Sequence, residues 1–258
     1  MGNICMSIIE KIGIKRVVTT CILLALIVTT IVLVSTLPLP SFSSNGFTFL
    51  KMDNGTYCIT KYSGQSSYVE IPQTVRGVNV TAIKQYAFEN NTYIKTVVVH
   101  DNIIEIGQGA FRGCTSLQSL TVPFVGGSND HNLHLDHIFS SGIGLNMTKT
   151  SVPKTLKKIY ITKGCTKIST SAFYLCASLE EIHIPSTVAI IDDGTGYNSI
   201  GVNGNLPISN KTMLPFYGCS ANLRIYCSAS KKPEEWGAYW NYINSSDKAI
   251  VFWGSKEY

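Results

Sequence analysis

The sequence predicts the α/β class: a strand-rich solenoid with short helical turns, preceded by one N-terminal transmembrane helix. Three observations carry this reading. Apolar positions recur at a fixed step, with Phe88 and Phe111, Ile83 and Ile106, Ile94 and Leu117, Leu156 and Leu179, and Ile168 and Ile191 each 23 residues apart. A fixed period in the twenties is the signature of stacked coils. Each copy opens with an apolar run that ends in alternation, as in Leu117, Leu120 and Val122 or Leu179, Ile182 and Ile184. Alternation of this kind marks a half-buried strand. Residues 17–37 form an uninterrupted run of 21 residues without a charge, a proline or a glycine.

Residues 1–16 carry Lys11, Lys15 and Arg16 against Glu10 and read as a cytoplasmic tail. A helix over residues 17–37 would span roughly 31 Å at a rise of 1.5 Å per residue, close to the bilayer's hydrocarbon thickness of about 30 Å. Basic residues precede it, and the next charge is Lys51. The positive-inside bias then keeps the N-terminus in the cytoplasm and exports the repeats. The competing reading is a cleaved signal peptide, which secretes the rest of the chain. Such a peptide usually has an apolar core of only about 7–15 residues. Gly2 invites N-myristoylation, but Met6 stands where Ser or Thr is required. Residues 38–46, rich in Pro and Ser, read as a linker.

Residues 47–258 hold the repeats. Pro72, Pro123 and Pro185 close successive apolar runs, because proline cannot donate to a sheet ladder and turns the chain. Ile103 and Ile106, or Val188 and Ile191, come next, followed by Ala-Phe, or Pro-Phe in the last copy. Three residues beyond the phenylalanine stand Cys114, Cys176 and Cys219. One coil cannot bury its apolar face alone, so neighbouring coils bury it together, with Phe88, Phe111 and Phe173 in one column.

The phrases AFRGCTSLQSLTVP and AFYLCASLEEIHIPSTV resemble the BspA-like leucine-rich repeat family of surface proteins. The resemblance runs from about Phe47 to Trp253. IPQTVRGVNVTAI resembles the family's opening unit, LTVPFVGG with the insertion ending at Phe139 its enlarged repeat, and IYCSASKKPEEWGAYWNY with VFWG its closing cap. His100 and Thr162 replace the usual proline, and residues 192–212 interrupt the last repeat. The resemblance implies a non-enzymatic cell-surface or adhesion protein. Its partner would be a protein or glycoprotein, on a host surface or in the extracellular matrix.

Charged residues are only 14% of the chain and the net charge is +5, against a typical charged share of about 25%. Signs are mixed and no basic run exceeds Lys157-Lys158 or Lys231-Lys232, so nucleic-acid binding is not expected. Eight cysteines without a CxxC pair argue for buried thiols rather than disulfides or structural zinc.

No hydrolase, metalloprotease, phosphate-loop or dinucleotide-binding motif occurs. Neither catalysis nor a cofactor is expected. His131, His134 and His137, with Asp130 and Asp136, would share one face if that stretch were helical. Imidazole suits zinc, copper or nickel, but Leu133, Leu135 and Ile138 beside them look like packing, and no metal is expected. The pairs Asp192-Asp193 and Glu234-Glu235 point apart on turns or strands, unlike opposed glycosidase carboxylates. Trp236, Tyr239, Trp240 and Tyr242 suit a cap over the last coil. The alternatives to the adhesion reading are a carbohydrate-binding module or enzyme accessory that uses these aromatics, and a structural surface spacer. Asn-x-Ser/Thr sites stand at Asn54, Asn79, Asn90, Asn146, Asn210 and Asn244. In a eukaryotic source they would accept glycans on the exported part.

Side chains alternate along a strand. The residues between core positions therefore form one outward row: Glu70, Val98, Thr121, Tyr160, His183 and Tyr226. This row is the expected partner-binding surface.

Overall fold

Three coils reverse where the chain adopts left-handed backbone on both sides of the Ala-Phe phrase, and the last does so after its Pro-Phe. Positive φ occurs at Tyr86 and Asn90 around Phe88, at Gly109 and Gly113 around Phe111, at Ser171 and Leu175 around Phe173, and at Gly218 after Phe216. Two such residues four apart stop a helix from propagating, because an L-residue pays for every left-handed step. The turns expected as helical are therefore hydrogen-bonded bends. Within the described part of residues 41–258 the one helical element is a 3-10 turn, Leu135–Ile138. The repeats form a strand-rich β-solenoid with little helix.

The computed structural model describes residues 19–20, 22–29, 41–131, 134–142, 148–194 and 214–257. The chain divides into two units, Met1–Pro40 and Ser41–Tyr258. In the first, residues 19–20 and 22–29 are helical. Among the described residues no helix is long and apolar enough to cross a membrane. Most of the expected span 17–37 lies outside the described residues.

The second unit begins inside the stretch expected as a linker. Strands β1 (Ser41–Ser44), β2 (Phe47–Lys51) and β3 (Tyr57–Tyr62) pair antiparallel in succession. Phe42 explains the early start. Its ring stacks on Phe49 with centroids 5.3 Å apart, and the Arg76 guanidinium lies over it, 3.6 Å from its centre. Strands β5 (Thr74–Val75), β6 (Val78–Ile83) and β8 (Glu105–Ile106) complete this N-terminal sheet.

The main sheet takes one strand from each coil. Its members are β4 (Tyr68–Glu70), β7 (Thr96–Val98), β9 (Ser119–Val122), β10 (Lys158–Ile161), β12 (Glu181–Ile184), β14 (Arg224–Cys227) and β15 (Ile250–Trp253). They run parallel in the order β15-β14-β12-β10-β9-β7-β4. A second line of short strands includes β11 (Lys167–Ile168) beside β13 (Ile190–Ile191).

One continuous core fills the coil. Phe88, Phe111, Phe173 and Phe216 are fully buried, and Phe88 stacks on Phe111 at 4.9 Å and Phe173 on Phe216 at 5.2 Å. The column holds a member that the period does not show. Phe139 packs 6.2 Å from Phe111, and the Phe111 N–H donates to the Ile138 carbonyl. Ile138-Phe139 thus occupies the Ala-Phe place in the enlarged repeat. Cys58, Cys114, Cys165, Cys176, Cys219 and Cys227 are all buried free thiols. Cys114 Sγ donates to the Phe88 carbonyl at 3.2 Å and Cys219 Sγ to the Phe173 carbonyl at 3.2 Å. Cys114 and Cys219 therefore bond the backbone of an earlier coil.

Candidate functional site

The pleat of the main sheet aims every second side chain away from the core. The six residues of the expected row pair in one unbroken line. Glu70 lies beside Val98, Val98 beside Thr121, Thr121 beside Tyr160, Tyr160 beside His183, and His183 beside Tyr226. At about 4.8 Å per strand the line is roughly 24 Å long.

The C-terminal half of this line is a stack of rings. Tyr160 and His183 lie 4.5 Å apart at 17°, and His183 and Tyr226 lie 4.7 Å apart at 9°. Phe252 adds a fourth ring, 4.9 Å from Tyr226 at 12°. The stack changes what the row offers. The inner ring faces cover one another, Tyr160 and Tyr226 are half-buried, and Phe252 is exposed. His183 points outward yet is only 8% exposed, because its neighbours sandwich it. Burial lowers the His183 pKa, and the Glu181 carboxylate, whose Oε2 lies 3.8 Å from Nε2, works in the opposite direction.

A second outward line runs beside the stack: Lys158, Glu181 and Arg224. Lys158 Nζ pairs with Glu181 Oε2 at 3.0 Å, and that bond raises the Lys158 pKa. Arg224 is exposed and makes no ion pair among the described residues. The site is therefore an apolar ridge of ring edges with an exposed guanidinium two residues from Tyr226. The N-terminal half of the row is different. Val98 and Thr121 are half-buried and Glu70 is exposed, with no ring among them.

Sequence reasoning missed Phe252, Lys158, Glu181 and Arg224. The last three obey the same alternation, two residues before Tyr160, His183 and Tyr226, and that signal was open to view. Phe252 stands outside the repeat step, and only the pairing of β15 with β14 brings it into line.

The other candidates fare differently. Of the Asp130 to His137 stretch, residues 130–131 are bends, residues 135–137 belong to the 3-10 turn, and residues 132–133 lie outside the described residues. His134 and His137 sit with ring centres 6.2 Å apart, and Asp136 is buried, accepting bonds from Thr150 Oγ1 at 2.9 Å and from the Ser151 N–H. Among the described residues no three His, Cys, Asp or Glu side chains gather as a metal site. Trp236 and Trp240 are buried at 2% and 4% exposure, in contact with each other and with Trp253. They close the end of the core and offer no free ring face. Asp193 is buried and accepts a bond from the Tyr239 N–H at 2.6 Å, which ties the cap to the preceding coil. Asn54, Asn79 and Asn90 are exposed and Asn244 is half-buried. Asn146, Asn210 and the register within residues 195–212 lie outside the described residues.

No curated protein shows a significant match to the chain. A leucine-rich repeat protein from Bacteroides capillosus is similar at 25% identity over 60% of this chain and 88% of its own, with a TM-score of 0.33. The T. pallidum leucine-rich repeat protein shares 18% identity over 72% of this chain and 71% of its own, at a TM-score of 0.35. A leucine-rich cell surface protein from Faecalibacterium prausnitzii shares 18% identity over 86% of this chain and 56% of its own, at a TM-score of 0.37. Six copies of the BspA type leucine-rich repeat region match residues 36–133 and 149–232, and the chain belongs to this family.

Proposed function

We propose that this chain is a non-enzymatic, membrane-anchored surface protein that binds a protein or glycoprotein partner through the outward face of its parallel sheet. The observation that supports it is the four-ring stack Tyr160–His183–Tyr226–Phe252. It is a rigid ridge with apolar edges and phenol tips, the chemistry enriched at interface anchors. The stack also weighs against sugar binding at this place. Sugars pack on ring faces, and both faces of His183 and of Tyr226 are taken by neighbouring rings. In this reading residues 17–37 hold the chain in the membrane with the N-terminus cytoplasmic, and the ridge faces a host surface or matrix component.

The test uses the full chain in detergent against immobilised extracellular-matrix proteins and a glycan array. The expected outcome is saturable binding to a matrix protein, weakened at least about tenfold (roughly 1.4 kcal/mol) when Tyr160, His183 and Tyr226 are all replaced by Ala. Their stacking means that this variant also loses some stability. Arg224→Ala, at an exposed position outside the stack, therefore serves as the second variant. Unchanged affinity in both variants would overturn the proposal, and binding to glycans alone would favour the carbohydrate module.

A further inference from the structure

The chain balances its surface charges from one coil to the next. Lys157 Nζ pairs with Glu180 Oε1 at 3.0 Å, and Lys158 Nζ with Glu181 Oε2 at 3.0 Å. Both pairs bridge the coils of β10 and β12, and Lys158 and Glu181 are partners in the register. His183 Nε2 lies 3.8 Å from the same Glu181 oxygen. The next coil continues the row with Arg224 beside Glu181. The row then ends without a second acid, because the residue beside Arg224 on β15 is Ile250. Lys158 and Arg224 thus share one carboxylate, and that carboxylate is bonded to Lys158.

The surroundings of Arg224 are apolar. Ile250 is 49% exposed, and Phe252, 42% exposed, lies beside Tyr226. Arg224 and Tyr226 stand on one face of one strand, two residues and about 6.7 Å apart along it. A guanidinium offers a planar fork of donors that matches a carboxylate at two points. The same distance of about 6.7 Å separates residues i and i+2 of any extended chain. A carboxylate and an apolar side chain two residues apart in such a chain therefore meet Arg224 and the Tyr226–Phe252 ring pair together.

We propose that the partner docks here through an extended acidic segment, with an Asp or Glu on Arg224 and an apolar side chain two residues away on Tyr226 and Phe252. This inference rests on the ridge as the partner-binding surface and adds the chemistry that it selects. The charge row explains the acid. A partner carboxylate supplies the anion that β15 does not, and a partner cation would meet Arg224 as a like charge. The ring pair explains the apolar residue. An ion pair in open water contributes little, and apolar contact with Ile250 and Phe252 excludes that water while burying their exposed surface. The far end of the outward face carries the opposite sign. Glu70 is exposed on β4, five strand spacings or about 24 Å from β14. An acidic segment is therefore drawn to the C-terminal end of the face and repelled from the other.

The test uses the full chain in detergent and immobilised peptides built from a repeated Glu-Ser-Leu-Ser unit. Control peptides carry Lys or Gln in place of Glu, or Ser in place of Leu. The expected result is saturable capture by the Glu-Ser-Leu-Ser peptide, at least about tenfold tighter than by any control. Arg224→Glu should lose that preference and favour the Lys peptide. Arg224→Lys, which keeps the charge without the planar fork, should retain part of it at an unchanged melting temperature. Three outcomes would overturn the proposal: no capture by the Glu peptide, equal capture by the Glu and Gln peptides, or capture that Arg224→Glu leaves as it was. Matrix-protein binding separates this inference from the reading beneath it. A matrix protein that is lost on replacing Tyr160, His183 and Tyr226 by Ala but kept by Arg224→Glu would overturn the acidic segment and leave the ridge standing.

Discussion

Replacing Phe111 by Ala removes a fully buried ring from the middle of the aromatic column. Phe88 stacks on one side at 4.9 Å and Phe139 packs on the other at 6.2 Å. The neighbours cannot close the gap, because backbone bonds set the distance between coils. The Phe88 N–H reaches the Ala110 carbonyl at 2.8 Å, and the Phe111 N–H reaches the Ile138 carbonyl at 2.8 Å. The cavity therefore stays open, and the cost belongs in the upper half of the usual range of about 3–5 kcal/mol for burying nothing where a Phe ring stood. Denaturant unfolding followed by circular dichroism measures it as a lower midpoint. Ile104→Ala is the control, since Ile104 is 64% exposed. Its cost should stay within about 0.5 kcal/mol, the usual bound for surface substitutions. A loss below about 1 kcal/mol for Phe111→Ala, or equal losses for both variants, would refute the column and the register built on it.

Two further predictions concern pH and thiol chemistry. Burial is the largest influence on His100, His134, His137 and His183, and it lowers each pKa from the ordinary 6.5. The unfolded chain then binds more protons than the folded one as pH falls, so stability rises with pH across this window. The contribution is fully present above about pH 7 and is lost from about 6.5 downward, through the lower folded values. The melting temperature should fall steadily between pH 7 and pH 5, and a flat or rising profile would contradict this. His183→Phe keeps a ring in the stack and should make that slope shallower. Burial also pushes the Cys165 thiol up to about 11 and those of Cys114 and Cys227 to about 12. A maleimide or disulfide reagent at pH 8 should therefore label none of the six coil cysteines until the chain is unfolded, because the thiolate is the reactive form. Fast labelling of any of them in the native chain would mean that its coil opens.

The period and the alternation were legible in the residues because both are properties of neighbours along the chain. Ile182 and Ile184 flank His183, and the pleat alone sends them inward and the imidazole outward. The step of 23 residues from Tyr160 to His183 likewise places the two rings side by side without knowledge of any distant contact. Tertiary structure decided what happens where that step is broken. Phe139 joins the column, and Phe252 lies beside Tyr226 across a gap of 26 residues. In both cases the contact depends on how an insertion or a cap folds back, which no repeat length specifies. The turns followed bends rather than helices because left-handed backbone at residues such as Asn90 and Leu175 is held by bonds to the next coil. The Leu175 N–H, for example, donates to the Tyr217 carbonyl at 2.7 Å. His183 was readable as outward but not as enclosed. Enclosure comes from rings on two other strands, and only the assembled sheet brings those strands within stacking distance.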